Sequence, residues 1–293
     1  MEKTKLIIPL NMLLMLAFVS LFFITACSIN TQSQDRGMDV TSAKTSIIER
    51  SIAGLSNAKT NSIIELSENE AYNLEARPVA KEINGNKVRM LAYNGQIPGP
   101  ILKVKQNSAA YINFTNNLGT QTTIHWHGIR VENEYDGVPD VTQQPISPGQ
   151  SFIYKLDFPD EGIYWYHPHF REDLQQELGL YGAIIVEPSD KSYYNTADME
   201  IVLFLDDISM EGKDVTPFYG NLITHTLMGR FGNVMIINGA ESYNLEAQKG
   251  DVIRFYIINT ANSRTFNFMV KGHNLKIIGS DSGRFEDEFF ADS

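Results

Sequence analysis

The chain has 293 residues, 43% of them hydrophobic and 20% charged, a balance that fits a globular protein and excludes a disordered one. That length holds two domains of ordinary size. A formal net charge of −11 repels a polyanion, which argues against nucleic acid as a partner.

The chain begins as an export segment. Lys3 and Lys5 make a positive end, and residues 6–23 are mostly apolar. Ile24-Thr25-Ala26-Cys27 follows and resembles a bacterial lipobox. The expected processing removes residues 1–26 as a lipoprotein signal peptide. Cys27 then becomes the lipidated first residue, holding the protein to a membrane on the exported side of the cell envelope. Cys27 is the single cysteine, so no internal disulfide can form. Residues 27–62 are rich in Ser, Thr, Gln, Asn and Asp and read as a flexible polar tether.

From residue 63 the pattern changes to short strands separated by turn residues. Residues 72–76, 88–93, 101–105, 110–114 and 151–158 are candidate strands, and Asn84-Gly85 and Asn94-Gly95 are turn signals. Residues 182–186 form a continuous apolar run, which fits a strand buried on both faces. Many short strands at this spacing predict an all-β fold of the β-sandwich class, with a first domain over 63–188. The one helical stretch is 171–178, whose acids Glu172, Asp173 and Glu177 read as a solvated face.

A second domain over 195–293 opens with the apolar residues 201–205. It repeats the first. Asn238-Gly239 and residues 250–259 echo Asn94-Gly95 and residues 107–116, each a turn followed by an alternating strand that ends in Asn. Only four or five strands are readable before Ser293, against about seven for a full sandwich. The expectation is that the second domain is incomplete.

Chemistry concentrates in the first domain. Four of the six histidines form two His-X-His pairs, His125-Trp126-His127 and His167-Pro168-His169. On a strand, side chains at i and i+2 share a face, so each pair aims two imidazoles one way. Trp126 turns the other way, toward a core. Imidazole binds copper, zinc, iron and nickel, so two adjacent pairs predict a metal centre. His225 and His273 lack a partner at ligand spacing and read as structural, and Met210, Met228 and Met235 read as core filler.

Further motifs surround the pairs: Tyr93 to Pro100 (YNGQIPGP), Asp136-Gly137-Val138-Pro139, Ile146-Ser147-Pro148-Gly149, Gly162 to Tyr166 (GIYWY) and Gly179-Leu180-Tyr181-Gly182. In order and spacing they resemble the first domain of the laccase-like three-domain multicopper oxidases, and the resemblance runs from about residue 64 to the end. It implies tandem cupredoxin-like Greek-key sandwiches, the second without copper. It implies copper as cofactor, with His125 on a type 2 ion and His127, His167 and His169 on a type 3 pair. Asp136 falls where the family keeps an acid beside the type 2 site, able to relay protons. The implied reaction couples one-electron oxidation of phenols or metal ions to reduction of dioxygen to water. The mononuclear site of that family needs a cysteine and two histidines that are not found here, so these residues alone are expected to be inactive as an oxidase. A non-enzymatic copper- or zinc-binding lipoprotein is the alternative, because four imidazoles also suit one tetrahedral zinc ion.

Overall fold

A computed structural model describes residues 4–7, 49–219 and 222–291. Strands dominate. In chain order they are β1 (Thr4–Ile7), β2 (Ile63–Glu65), β3 (Glu70–Ile83), β4 (Asn86–Tyr93), β5 (Ile101–Lys105), β6 (Ser108–Asn116), β7 (His125–His127), β8 (Ser151–Phe158), β9 (Gly162–His167) and β10 (Gly182–Glu187). They continue with β11 (Met199–Ile208), β12 (Met210–Glu211), β13 (Asp214–Val215), β14 (Val234–Ile237), β15 (Asn244–Ala247), β16 (Ile253–Asn259), β17 (Leu275–Gly279) and β18 (Arg284–Ala291). Two short helices, α1 (Glu172–Gln175) and α2 (Leu222–Met228), interrupt them.

Alternation builds the first sandwich. One sheet runs β4-β3-β6-β8 and the other β2-β5-β10-β9-β7. Between them lies a core containing Leu74, Ile112, Phe114, Trp126, Tyr154, Tyr166 and Ile184. Trp126 is fully buried and meets Tyr154 edge-on at 5.3 Å between ring centroids. An aromatic of this size contributes about 2–3 kcal/mol through burial alone. It therefore pins the short strand β7 to the core by its middle residue.

The run 182–186 is buried on both faces, as its composition predicts. Ile184 and Val186 enter the core of the sandwich. Ala183 and Ile185 point outward, into a second apolar cluster with Val202, Phe204 and Ile258 of the second domain. Ile163 and Trp165 of β9 join that cluster.

The second domain repeats the first down to its hydrogen bonds. β3 pairs antiparallel with β4 and parallel with β6; β11 pairs antiparallel with β14 and parallel with β16. Asn94 and Asn238 each have φ of 50°, followed by Gly95 and Gly239 at 72° and 73°. Two consecutive left-handed residues make a type I′ turn, which Asn-Gly accommodates with little strain. The side-chain oxygen of Asn94 accepts from Glu75 N–H at 2.8 Å, and that of Asn238 accepts from Phe204 N–H at 2.8 Å. Phe266 and Phe268 pack on Leu203, Leu205 and Ile237. β17 and β18 form a separate hairpin. Between it and β16 lies a cavity of about 710 Å³, lined in part by Trp165, Phe255 and Ile277 and by none of the paired histidines.

Two readings of the sequence change. Residues 50–62, assigned by composition to the tether, run against the first sandwich, with Asn57 bridging to Ala80 and Lys59 to Gln96. Backbone pairing holds them, and it leaves no apolar signature in the sequence. The helix expected over 171–178 is a single turn, Glu172–Gln175, and Arg171 before it takes a left-handed φ of 45°. Cys27 lies outside the described residues. Residues 4–7, within the predicted export segment, pair antiparallel with β15. No helix among the described residues is long and apolar enough to cross a membrane.

Candidate metal centre

β7 lies at the edge of the five-stranded sheet, paired antiparallel with β9 so that His125 faces His167. The register places both histidine pairs together. The alternation that buries Trp126 and Tyr166 in the core sends His125, His127 and His167 to the outer face, beyond Ile163 and Trp165 in the same row. Ligand atoms of His125, His127 and His167 all lie within 4.8 Å of one another. The His169 ring stands 4.5 Å from that of His125.

Hydrogen bonds decide which nitrogen each ring offers. His125 Nδ1 lies 2.8 Å from the carbonyl oxygen of Asp136, which can only accept, so Nδ1 carries the proton and Nε2 is free. The same holds for His167, whose Nδ1 donates to the Pro168 carbonyl at 3.1 Å. His167 Nε2 then faces His127 Nδ1 at 3.4 Å. Two ligands held about 2 Å from a common tetrahedral ion are separated by about this distance. Trp165 stacks on His167 at 4.1 Å and limits its rotation.

Electrostatics keep the rings neutral where they are deepest. Burial lowers the His125 pKa, and the Asp136 carbonyl only partly opposes it. Burial pushes His167 down to about 3, despite the nearby Glu172 carboxylate. His169 moves the other way, raised by its hydrogen bond to Glu172, whose own pKa is lowered by the same bond. Neutral imidazole is the ligating form, and it tolerates both oxidation states of copper, so the donor set fits that ion.

The Asp136-Gly137 turn is built against this site. Gly137 has φ of 78°, and a Cβ there would lie 1.9 Å from the Ile124 carbonyl oxygen. Only glycine lets the turn approach so closely, and that approach delivers the Asp136 carbonyl to His125. The Asp136 carboxylate also comes within 3.3 Å of His125 Nδ1.

The structure gathers His125, His127, His167, His169 and Asp136 and leaves His225 and His273 out. His225 sits on α2 and His273 is exposed. Met210 is buried while Met228 is 72% exposed. The acids of 171–178 are not a uniform solvated face. Glu177 is 4% exposed and pairs with Arg230, and Glu172 lies against both His167 and His169. Its position three residues after His169 was the only sequence signal for that contact.

Two family models, both described as multicopper oxidase, match residues 75–191 and 191–293. The chain is 31% identical to the multicopper oxidase MmcO of Mycobacterium tuberculosis, over 71% of this chain and 46% of that protein. It is 32% identical to Laccase-1 of Botryotinia fuckeliana, over 79% of this chain and 42% of that one. Among solved structures it resembles a multi-copper oxidase from Pseudomonas thermotolerans, with TM-score 0.63, 28% identity, and 78% and 56% of the two chains covered. It also resembles a metallo-oxidase from Campylobacter jejuni, with TM-score 0.66, 26% identity, and 82% and 53% covered. The fold and the paired histidines define a candidate metal-binding β-sandwich, and the two matches place the chain in the multicopper oxidase family. It spans about half the length of the curated relatives it matches.

Proposed function

We propose that this chain carries one half of the copper centre of an enzyme that couples one-electron oxidation of a phenol or a metal ion to reduction of dioxygen to water. The observation that carries this reading is the convergence of two imidazole pairs across β7 and β9, with His125 and His167 each held by a carbonyl at Nδ1. His125 is the type 2 ligand, and His127, His167 and His169 are type 3 ligands. Copper in such a centre supplies one-electron steps and a place for dioxygen to bind. The protein's part is to hold those rings, and to bring protons through Asp136, whose carboxylate stands beside His125 and is partly open to water. Cys27 is the lipid attachment point that keeps the protein at the cell envelope.

Copper titration of the purified chain tests the reading. Copper binds, and His127→Ala with His167→Ala removes most of it, while His225→Ala and His273→Ala leave it unchanged. Equal copper content in all three variants would sink the proposal. For the anchor, palmitate labels the wild type and not Cys27→Ala; equal labelling refutes that part alone.

A further inference from the structure

We infer that Glu172 is a positioning residue for the copper centre, a single carboxylate that fixes both rings of the second histidine pair. The inference rests on the copper reading above. Glu172 Oε1 lies 3.4 Å from His167 Nδ1, and Oε2 lies 3.3 Å from His169 Nδ1. These are long contacts, and each oxygen serves a different ring. The carboxylate therefore sits behind the rings, on the side away from the His127–His167 approach. It faces Nδ1 of both and leaves both Nε2 atoms clear of it, that of His167 turned toward His127. An acceptor at Nδ1 selects the tautomer whose Nε2 lone pair is available, and it strengthens that nitrogen as a donor to metal.

His169 needs this contact most. His167 has the Pro168 carbonyl as well, and His125 has that of Asp136. For the His169 ring, the hydrogen-bonding partner is Glu172. The His169 backbone is tied separately, its N–H donating to Thr123 Oγ1 at 3.3 Å.

The second domain, which brings no histidine to the site, holds Glu172 in place. The left-handed Arg171 turns the chain back after His169 so that α1 starts beneath the rings. From the second domain, Asn262 Nδ2 donates to the Asp173 carbonyl at 2.7 Å, and Tyr219 accepts from Arg171 at 2.6 Å. Gln176 donates to the Thr260 carbonyl at 2.9 Å, and Glu177 pairs with Arg230 at 3.2 Å. From the first domain, Gln175 Oε1 accepts from Thr122 Oγ1 at 2.7 Å. One helical turn, gripped from both sides, thus aims one carboxylate at two ligands.

The test uses the full chain in two states. In the metal-free protein, nitrogen-15 correlation spectra of the imidazoles report which nitrogen is protonated. Glu172→Ala should cost His169 its fixed tautomer. Glu172→Gln is isosteric, keeps one acceptor oxygen, and should preserve the order of one ring only. In copper titrations, Glu172→Ala should weaken binding about tenfold to a hundredfold, with Glu172→Gln between it and the wild type. The thermal midpoint of Glu172→Gln should match the wild type, so its loss of affinity is not misfolding. Unchanged tautomers together with wild-type affinity in both variants would overturn the inference. A wild-type chain that binds no copper through the four histidines instead overturns the reading it rests on.

Discussion

Arg230→Ala tests whether the second domain holds the loop that follows the second histidine pair. The Arg230 and Glu177 side chains are 7% and 1% exposed and meet at 3.2 Å. Removing one partner of a buried ion pair strands the other charge, at a cost of about 3–5 kcal/mol. Arg230 also donates to the Thr216 carbonyl at 2.7 Å and lies 4.1 Å over the Phe218 ring, and both contacts go with it. Glu177 keeps two donors, Ser209 N–H at 3.0 Å and Asn262 Nδ2 at 3.1 Å, which places the expected loss near the lower end, at about 3 kcal/mol.

The loss should depend on pH, with a definite sign. Burial raises the Glu177 pKa, and Arg230 and the Ser209 N–H only partly offset it. A carboxyl raised in the folded state favours the protonated form. It therefore penalises folding progressively as pH climbs from the unfolded value, about 4.3, through the folded value. Without Arg230 the folded value rises further. The extra cost is absent where folded Glu177 is protonated with or without Arg230, and it grows as pH climbs from the wild-type folded value toward the variant's. Urea unfolding followed by tryptophan fluorescence at one acidic and one alkaline pH measures it. Glu177→Gln added to Arg230→Ala removes the stranded charge and should recover most of the loss and its pH dependence. A loss under about 1 kcal/mol, or one equal at both pH values and untouched by Glu177→Gln, would refute the reasoning.

Gly137→Ala should weaken copper binding and lower stability by more than about 1 kcal/mol, because its Cβ meets the Ile124 carbonyl; Gly119→Ala, with open space around it, should do neither. Copper titration and urea midpoints separate the two. Asn94→Ala and Asn238→Ala should each cost about 1–2 kcal/mol in urea, since each loses a hydrogen bond and a tolerated left-handed φ. Asn94→Gly and Asn238→Gly should cost less, and the reverse order would count against the turn assignment.

These tests divide according to what the sequence made visible. The histidine pairs, the inward Trp126 and the doubly buried run at 182–186 follow from strand alternation, a local rule with a period of two residues. The Asn-Gly repeat follows from turn chemistry, equally local. What escaped was set by distant partners. Glu177 reads as a surface acid until Arg230, 53 residues later, is packed against it. Glu172 reads likewise, because its aim depends on the left-handed Arg171 and on Asn262, which lies 89 residues beyond Asp173. Helix α2 and the pairing of residues 50–62 rest on backbone contacts that no apolar pattern announces.

That division has a physical basis at the metal centre itself. A ligand must sit on a rigid element, and the simplest rigid placement of two imidazoles on one face is a strand with His at i and i+2. The ligands are therefore written locally. Their orientation is not, because the Nδ1 of His125, of His167 and of His169 each needs an acceptor on the far side of the ring, which a neighbour in sequence supplies only when the backbone turns back. Pro168 does so for His167 with its carbonyl. Asp136 does so for His125 only because Gly137 permits the close turn. For His169 the acceptor comes on a helical turn whose position the second domain holds. On the proposed copper reading, a domain with no paired histidines of its own would support copper binding through the loop it grips, and substitutions at Asn262 or Arg230 should lower copper affinity without touching a ligand.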